Sequence, residues 1–189
     1  MKDKKTRILE ASILLFSQDG FWNTSTASIA KEAGVASGTL FNYFSTKDML
    51  INAVYITLKK DIHASIMATW NPAGNLETKL YHAWLGVVKW ALKYPRHYDL
   101  LEQLRMSELV TQETREAMTA EFSALHMDVQ VGIKEKEIIE LPVSYHLAMG
   151  GALINATITF LRSQEGGQFD VEELVKQGFL VYWRGVKVK

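Results

Sequence analysis

Cysteine is absent from the 189-residue sequence, which excludes disulfides, thiolate metal ligands and cysteine nucleophiles. A chain without cysteine is also typical of a reducing compartment, so we expect a cytoplasmic protein. Proline occurs only three times and glycines rarely cluster, which leaves long segments free of helix breakers. No alternating strand pattern extends beyond a few residues. The sequence therefore predicts an all-α fold.

Long charge-free runs are scarce, and the main exception is the stretch of residues 141–161, which is about as long as a bilayer span. It contains Pro142, His146 and Asn155, which would be costly in lipid. We interpret it as a buried helix of a soluble protein and expect no membrane contact. The basic N-terminus also lacks the apolar core and the cleavage site of a signal peptide.

Apolar residues at helical spacing, together with capping signals, define the predicted helices. They lie at about residues 4–18, 25–33, 36–44, 46–70, 75–94, 96–106, 111–136, 142–163 and 170–186. The sequence NPAG at 71–74 is the clearest break, and we expect a small N-terminal unit to give way there to a larger bundle. Residues 163–170 are predicted to form a loop.

The segment TASIAKEAGVASGTLFNYF, residues 26–44, fits two short helices joined by a tight turn. Ala30 is small enough for the helices to cross closely, and Gly34 suits a turn that needs positive φ. The small core between the helices is predicted to contain Ile29, Val35 and Leu40. This spacing indicates a helix-turn-helix. By itself it leaves a second interpretation open, a helical corner in a protein that binds no DNA.

The second of these helices has a polar side and an apolar side. At 3.6 residues per turn its inward residues are Ala36, Leu40 and Phe44, and its outward residues are Gly38, Thr39 and Asn42, flanked by Phe41 and Tyr43. Asn42 can pair with adenine in a major groove, and Phe41 or a threonine methyl can contact a thymine methyl. Lys47 and the free N–H groups at the next helix start are placed to bind phosphate.

Residues 6–55 resemble the DNA-binding domain of the TetR family of bacterial transcriptional regulators. The matching motifs are RILEA, LF and GF in the first helix, then TS, IA and AGV, then GTLFNYF and a following lysine and leucine. The resemblance implies a DNA-binding head of three helices at residues 1–50. It also implies that residues 51–189 form a fourth, connecting helix and a C-terminal bundle that dimerises and binds a small effector. The motif YWRGV near the C-terminus is similar to the end of the last helix in that family.

The resemblance implies a homodimeric repressor, without a cofactor, that binds a pseudo-palindromic operator of double-stranded DNA. The expected DNA-binding residues are Ser25, Thr26, Ser37, Gly38, Thr39, Phe41, Asn42, Tyr43 and Lys47. Ala27 and Ser37 replace basic or long polar residues that are common in the family, which removes phosphate contacts. We therefore expect a shallow salt dependence of DNA binding unless the basic N-terminus forms an arm on the DNA, made of Lys2, Lys4, Lys5 and Arg7.

The last two predicted helices are apolar on two opposite sides, whereas a surface helix needs only one apolar stripe. The second stripe favours a homodimer through these helices, and a large monomeric core is the alternative. An apolar effector cavity is expected in the C-terminal bundle, lined by Trp84, Met118, Phe122, His126 and Asn155. Each of these residues has an alternative role as ordinary core filling.

The sequence shows no residue pattern that is typical of a catalytic or metal site. The histidines never lie three or four residues apart, and no acid completes a metal-ligand spacing with them, so no metal site is expected. Two further classes of protein remain open from the sequence. One is an all-α dimeric module that binds a small molecule but not DNA, and the other is a small helical enzyme, for which no polar catalytic cluster is visible.

Overall fold

The computed structural model describes residues 2–163 and 170–188, and within these ranges the chain is helical, as predicted. The helices of the described residues are α1 (Lys4–Asp19), α2 (Thr26–Glu32), α3 (Ser37–Tyr43), α4 (Lys47–Thr69), α5 (Leu76–Lys93), α6 (Pro95–Arg105), α7 (Gln112–Glu121), α8 (Ser123–Lys134), α9 (Val143–Ser163) and α10 (Val171–Val186). Most of the loop predicted at 163–170 lies outside the described residues. No helix within these ranges has the length and apolarity that a bilayer crossing requires.

The predicted helix at 111–136 is wrong, because the segment forms α7 and α8 with a break at Phe122. The phenyl ring of Phe122 packs edge-on against the imidazole of His63, with the ring centroids 5.2 Å apart. His63 also lies 3.6 Å from the carboxylate of Glu121. Both contacts bring together residues that are distant in sequence, and helical periodicity cannot reveal such contacts.

One compact unit contains the chain up to Asp61 together with Tyr94–Ala120. In this unit α1 packs against α2, α3 and α6. Its core is aliphatic and aromatic, with fully buried side chains that include Ile8, Phe16, Ile29, Leu40 and Leu50. Asn52 on α4 ties in the loop before α7, because its side-chain amide donates to the Leu109 carbonyl at 2.8 Å and accepts from the Thr111 N–H at 2.9 Å.

The second unit contains Ile62–Lys93 and the chain from Glu121 onward. Here α5 packs against α8, α9 and α10. An ion pair at 2.6 Å between Lys79 and Asp128 joins α5 to α8. Beyond α10, Lys187 forms an isolated antiparallel bridge with Ile138, which holds the chain end against the α8–α9 connection.

These units divide the chain differently from the predicted boundary after residue 50. The first unit also contains α6 and most of α7, and α4 contributes residues to both units. The assignment of DNA binding to residues 1–50 and of effector binding to 51–189 stays a prediction.

Candidate DNA-binding surface

The first helix begins at a capped terminus. The Asp3 carboxylate accepts a hydrogen bond from the Thr6 backbone N–H at 2.9 Å, and this bond holds the pKa of Asp3 below its usual value. Lys2 pairs with the carboxylate of Glu10. Lys4 and Lys5 are exposed at the start of α1.

The side chain of Arg7 is turned into the protein. Its Nε and one terminal nitrogen donate to the Ala33 carbonyl at 2.9 and 2.6 Å, and that terminal nitrogen also donates to the Gly34 carbonyl at 2.5 Å. A guanidinium at this position satisfies carbonyls at the C-terminus of α2 and complements the negative end of its dipole. Arg7 is therefore misplaced in the predicted N-terminal arm, which stays a prediction for the lysines alone.

The turn between α2 and α3 has the geometry of a Schellman motif. The Val35 N–H donates to the Ala30 carbonyl at 2.9 Å, and the Gly34 N–H donates to the Lys31 carbonyl at 3.1 Å. Gly34 has a φ of 62°, a backbone conformation that residues with a Cβ rarely adopt. The predicted roles of Ala30, which is buried, and of Gly34 are confirmed.

Helix α3 presents the predicted polar side to solvent. Leu40 and Phe44 are buried as expected. Ala36 is exposed, contrary to the prediction, because it is the N-cap with an extended backbone and does not follow the helical phase. On the outward side Ser37, Gly38, Phe41, Asn42 and Tyr43 are exposed, with Phe41 at 44% and Tyr43 at 45%, and Thr39 is half-buried.

The predicted residues outside α3 lie at the starts of α2 and α4. The Ser25 hydroxyl caps α2 by accepting from the Ser28 N–H at 3.0 Å, and Thr26 is half-buried in the first turn. Lys47 is the first residue of α4, and its ammonium nitrogen lies 3.5 Å from the Trp22 carbonyl oxygen.

The surface has an unusual electrostatic character. The sequence carries no formal charge from Ala33 to Thr46, so the outward side of α3 offers amide and hydroxyl groups and aromatic rings. Such groups can make base-edge hydrogen bonds and apolar contacts, whereas the charge for phosphate binding must come from flanking lysines.

The predicted effector residues fall in different environments. Met118 is buried in the first unit, and the other four belong to the second unit. Trp84 is buried on α5 beside the rings of Phe179 and Tyr182 on α10. Its indole Nε1–H has no acceptor among the described residues.

Three further residues complete the predicted effector set. Phe122 and His126 are half-buried, whereas Asn155 is exposed on α9, which is not the environment of a residue in an enclosed cavity. The effector set stays a prediction.

Comparison with known proteins adds independent information. Residues 8–54 match the family described as bacterial regulatory proteins, tetR family. The uncharacterized HTH-type transcriptional regulator YhgD of Bacillus subtilis (strain 168) is 24% identical over 138 residues, which are 72% of each chain. The HTH-type transcriptional regulator UidR of Escherichia coli (strain K12) is 38% identical over 52 residues, which cover 28% of this chain and 26% of that protein.

Among solved structures, a crystal structure of a protein assigned to the tetR family, from Shewanella sp. PV-4, covers 100% of both chains with a TM-score of 0.87 and 26% identity. The matched family segment begins in α1, includes the whole helix-turn-helix and ends in α4. The family match, the overall fold and the geometry of the turn thus all indicate that α2 and α3 form a helix-turn-helix. Residues 8–54 therefore form the DNA-binding helix-turn-helix region of the tetR family of bacterial regulatory proteins, and the chain as a whole has the fold of a TetR-family transcription regulator.

Proposed function

We propose that this regulator acts as a cytoplasmic homodimeric repressor that binds a pseudo-palindromic operator, with α3 of each protomer in the major groove. The observation that carries the proposal is the uncharged, exposed side of α3 around Asn42. In this arrangement the Asn42 amide pairs with an adenine edge, and Phe41 or the Thr39 methyl contacts a thymine methyl. Lys47 and the N-terminus of α4 bind a neighbouring phosphate.

The surface of α9 supports the homodimer. Along one side of this helix uncharged and mostly small or apolar residues are exposed, and they comprise Tyr145, Ala148, Gly151, Ala152, Asn155, Ala156, Thr159 and Phe160. On α10, Val181 is 64% exposed. Small residues permit close helix packing, and a two-fold dimer presents two equivalent heads to two half-sites.

A small effector is proposed to bind in the second unit and to release the operator. The buried Trp84 Nε1–H supports this site, because an unpaired buried donor is costly and a ligand acceptor would satisfy it. Release follows from a population shift, in which the effector favours a state whose heads no longer match the half-site spacing. We propose that α4 transmits this change from the second unit to the first, because it contributes residues to both units.

The experiment is selection of duplexes from a random-sequence DNA pool by the purified protein, followed by Kd measurements on the enriched duplex. Asn42→Ala is expected to lower the preference for that duplex over unrelated DNA about tenfold or more, because a bidentate base contact is lost. Dimerisation should be unchanged. The matched control is Gln130→Ala, which removes an exposed amide on α8. If Asn42→Ala retains the full preference, Asn42 does not read the operator.

A further inference from the structure

The loop between α1 and α2 displays a large aromatic side chain to solvent. Trp22 is 70% exposed, whereas tryptophan is on average a highly buried residue. The adjacent Phe21 is buried, with the two ring centroids 5.2 Å apart. The exposed indole is therefore not a product of an apolar loop that fails to pack, because its neighbour fills the core.

The loop that carries Trp22 is held in place on both sides. The Asn23 amide donates to the Asp19 carbonyl at 3.1 Å, and the Thr24 hydroxyl donates to the Gly20 carbonyl at 2.9 Å. Thr24 is itself buried. A bulky side chain on a fixed loop loses little conformational entropy on binding, which favours a contact role.

Lys47 places this loop beside the proposed DNA surface. Its ammonium nitrogen lies 3.5 Å from the Trp22 carbonyl oxygen. Lys47 is the first residue of α4 and follows α3 closely in the chain. Trp22 and a cation proposed to bind phosphate are thus neighbours.

We propose that Trp22 is a further DNA contact, in which the indole lies against the sugar–phosphate backbone next to the phosphate bound by Lys47. The inference rests on the proposed DNA-binding function and adds a residue to it. The indole supplies an apolar face for the deoxyribose and an N–H donor for a phosphate oxygen. Because backbone contacts carry no sequence information, Trp22 adds affinity without selectivity.

Two variants separate the two parts of the contact. Trp22→Ala is expected to weaken binding about tenfold, and Trp22→Phe, which keeps an apolar ring, about threefold. For each variant, the loss of affinity should be the same on the selected duplex as on unrelated DNA. The slope of log Kd against log salt should stay at the wild-type value, because a neutral side chain releases no counterions. Met127→Ala, which removes an exposed apolar side chain on α8, is the control and should bind as wild type.

Tryptophan fluorescence tests the contact directly. Of the five tryptophans, Trp84, Trp90 and Trp183 are buried and Trp70 is half-buried, so acrylamide quenches chiefly Trp22. Adding the selected duplex is expected to remove most of this accessible fraction in the wild type. Trp22→Phe should lack that fraction with or without DNA.

The Trp22 contact can be absent even where the operator binding on which it rests is present. If the pool yields no enriched duplex, the proposed operator binding fails and the Trp22 contact fails with it. If the enriched duplex binds but leaves Trp22 fully quenchable, or if Trp22→Ala binds as wild type, only the Trp22 contact is overturned.

Discussion

Arg7 donates three hydrogen bonds to the carbonyls of Ala33 and Gly34, in the turn between α2 and α3. Arg7→Gln is expected to lower the free energy of unfolding by about 1.5–3 kcal/mol, because hydrogen bonds from a charged donor to part-buried carbonyls are lost. Urea titration of the purified variant measures this. Arg7→Lys keeps the charge but not the planar fork, so it should recover only part of the loss.

The same variant distinguishes the cap from an arm on DNA. If Arg7 bound phosphate instead, Arg7→Gln would leave stability unchanged and would reduce the salt slope of DNA binding by about one contact. The cap predicts the reverse, a lower stability and an unchanged slope. Lys5→Gln, at an exposed position on α1, serves as the comparison for a lysine of the proposed arm.

Single residues also show what the sequence could and could not predict. The burial of Leu40 and the exposure of Asn42 followed from helical periodicity within α3, because both depend only on local spacing. The role of Arg7 could not be predicted in this way, because its acceptors lie 26 and 27 residues further along the chain. Trp22 was missed for a related reason, since exposure in a loop has no periodic signal.

At the scale of the elements, α4 and α5 cross closely at Gly86. A Cβ at Gly86 would lie 2.6 Å from the Ile66 Cα, and the Ser65 hydroxyl already donates to the Gly86 carbonyl at 2.8 Å. Gly86→Ala is expected to cost about 1–3 kcal/mol of stability, because backbone atoms must move apart. Thermal unfolding measures the loss.

A matched substitution controls for the general effect of alanine in a helix. Gly38 lies in α3 with open space where a Cβ would stand, so Gly38→Ala should cause no loss of stability. Equal melting temperatures for the two variants would contradict a tight crossing at Gly86.

The elements themselves were largely predictable, and the exception has a physical cause. Apolar spacing and capping residues located α1 to α6 because these signals are local. The division of 111–136 into α7 and α8 was not predicted, because the sequence there contains no proline or glycine before Gly132. The ring contact of Phe122 with His63 accompanies the break and is a tertiary interaction.

At the scale of the whole molecule, the proposed repressor needs two heads, so operator affinity should depend on self-association. Ala152 lies on the exposed, uncharged side of α9. Ala152→Glu is expected to yield monomers, because a packed two-fold interface would bury two unpaired carboxylates close to each other. Sedimentation velocity at micromolar protein concentration shows whether the variant is a monomer or a dimer.

The same variant should bind the selected duplex at least a hundredfold more weakly than the wild type. A monomer contacts only one half-site, whereas in a dimer binding of the first head raises the effective concentration of the second head at its half-site. A half-site duplex should be bound about equally by both proteins, since the head is unchanged. Gln130→Glu introduces the same charge on the exposed part of α8 and should stay dimeric. A dimeric Ala152→Glu would place the interface elsewhere. A monomeric one that keeps full operator affinity would separate DNA binding from dimerisation and contradict the paired-head arrangement.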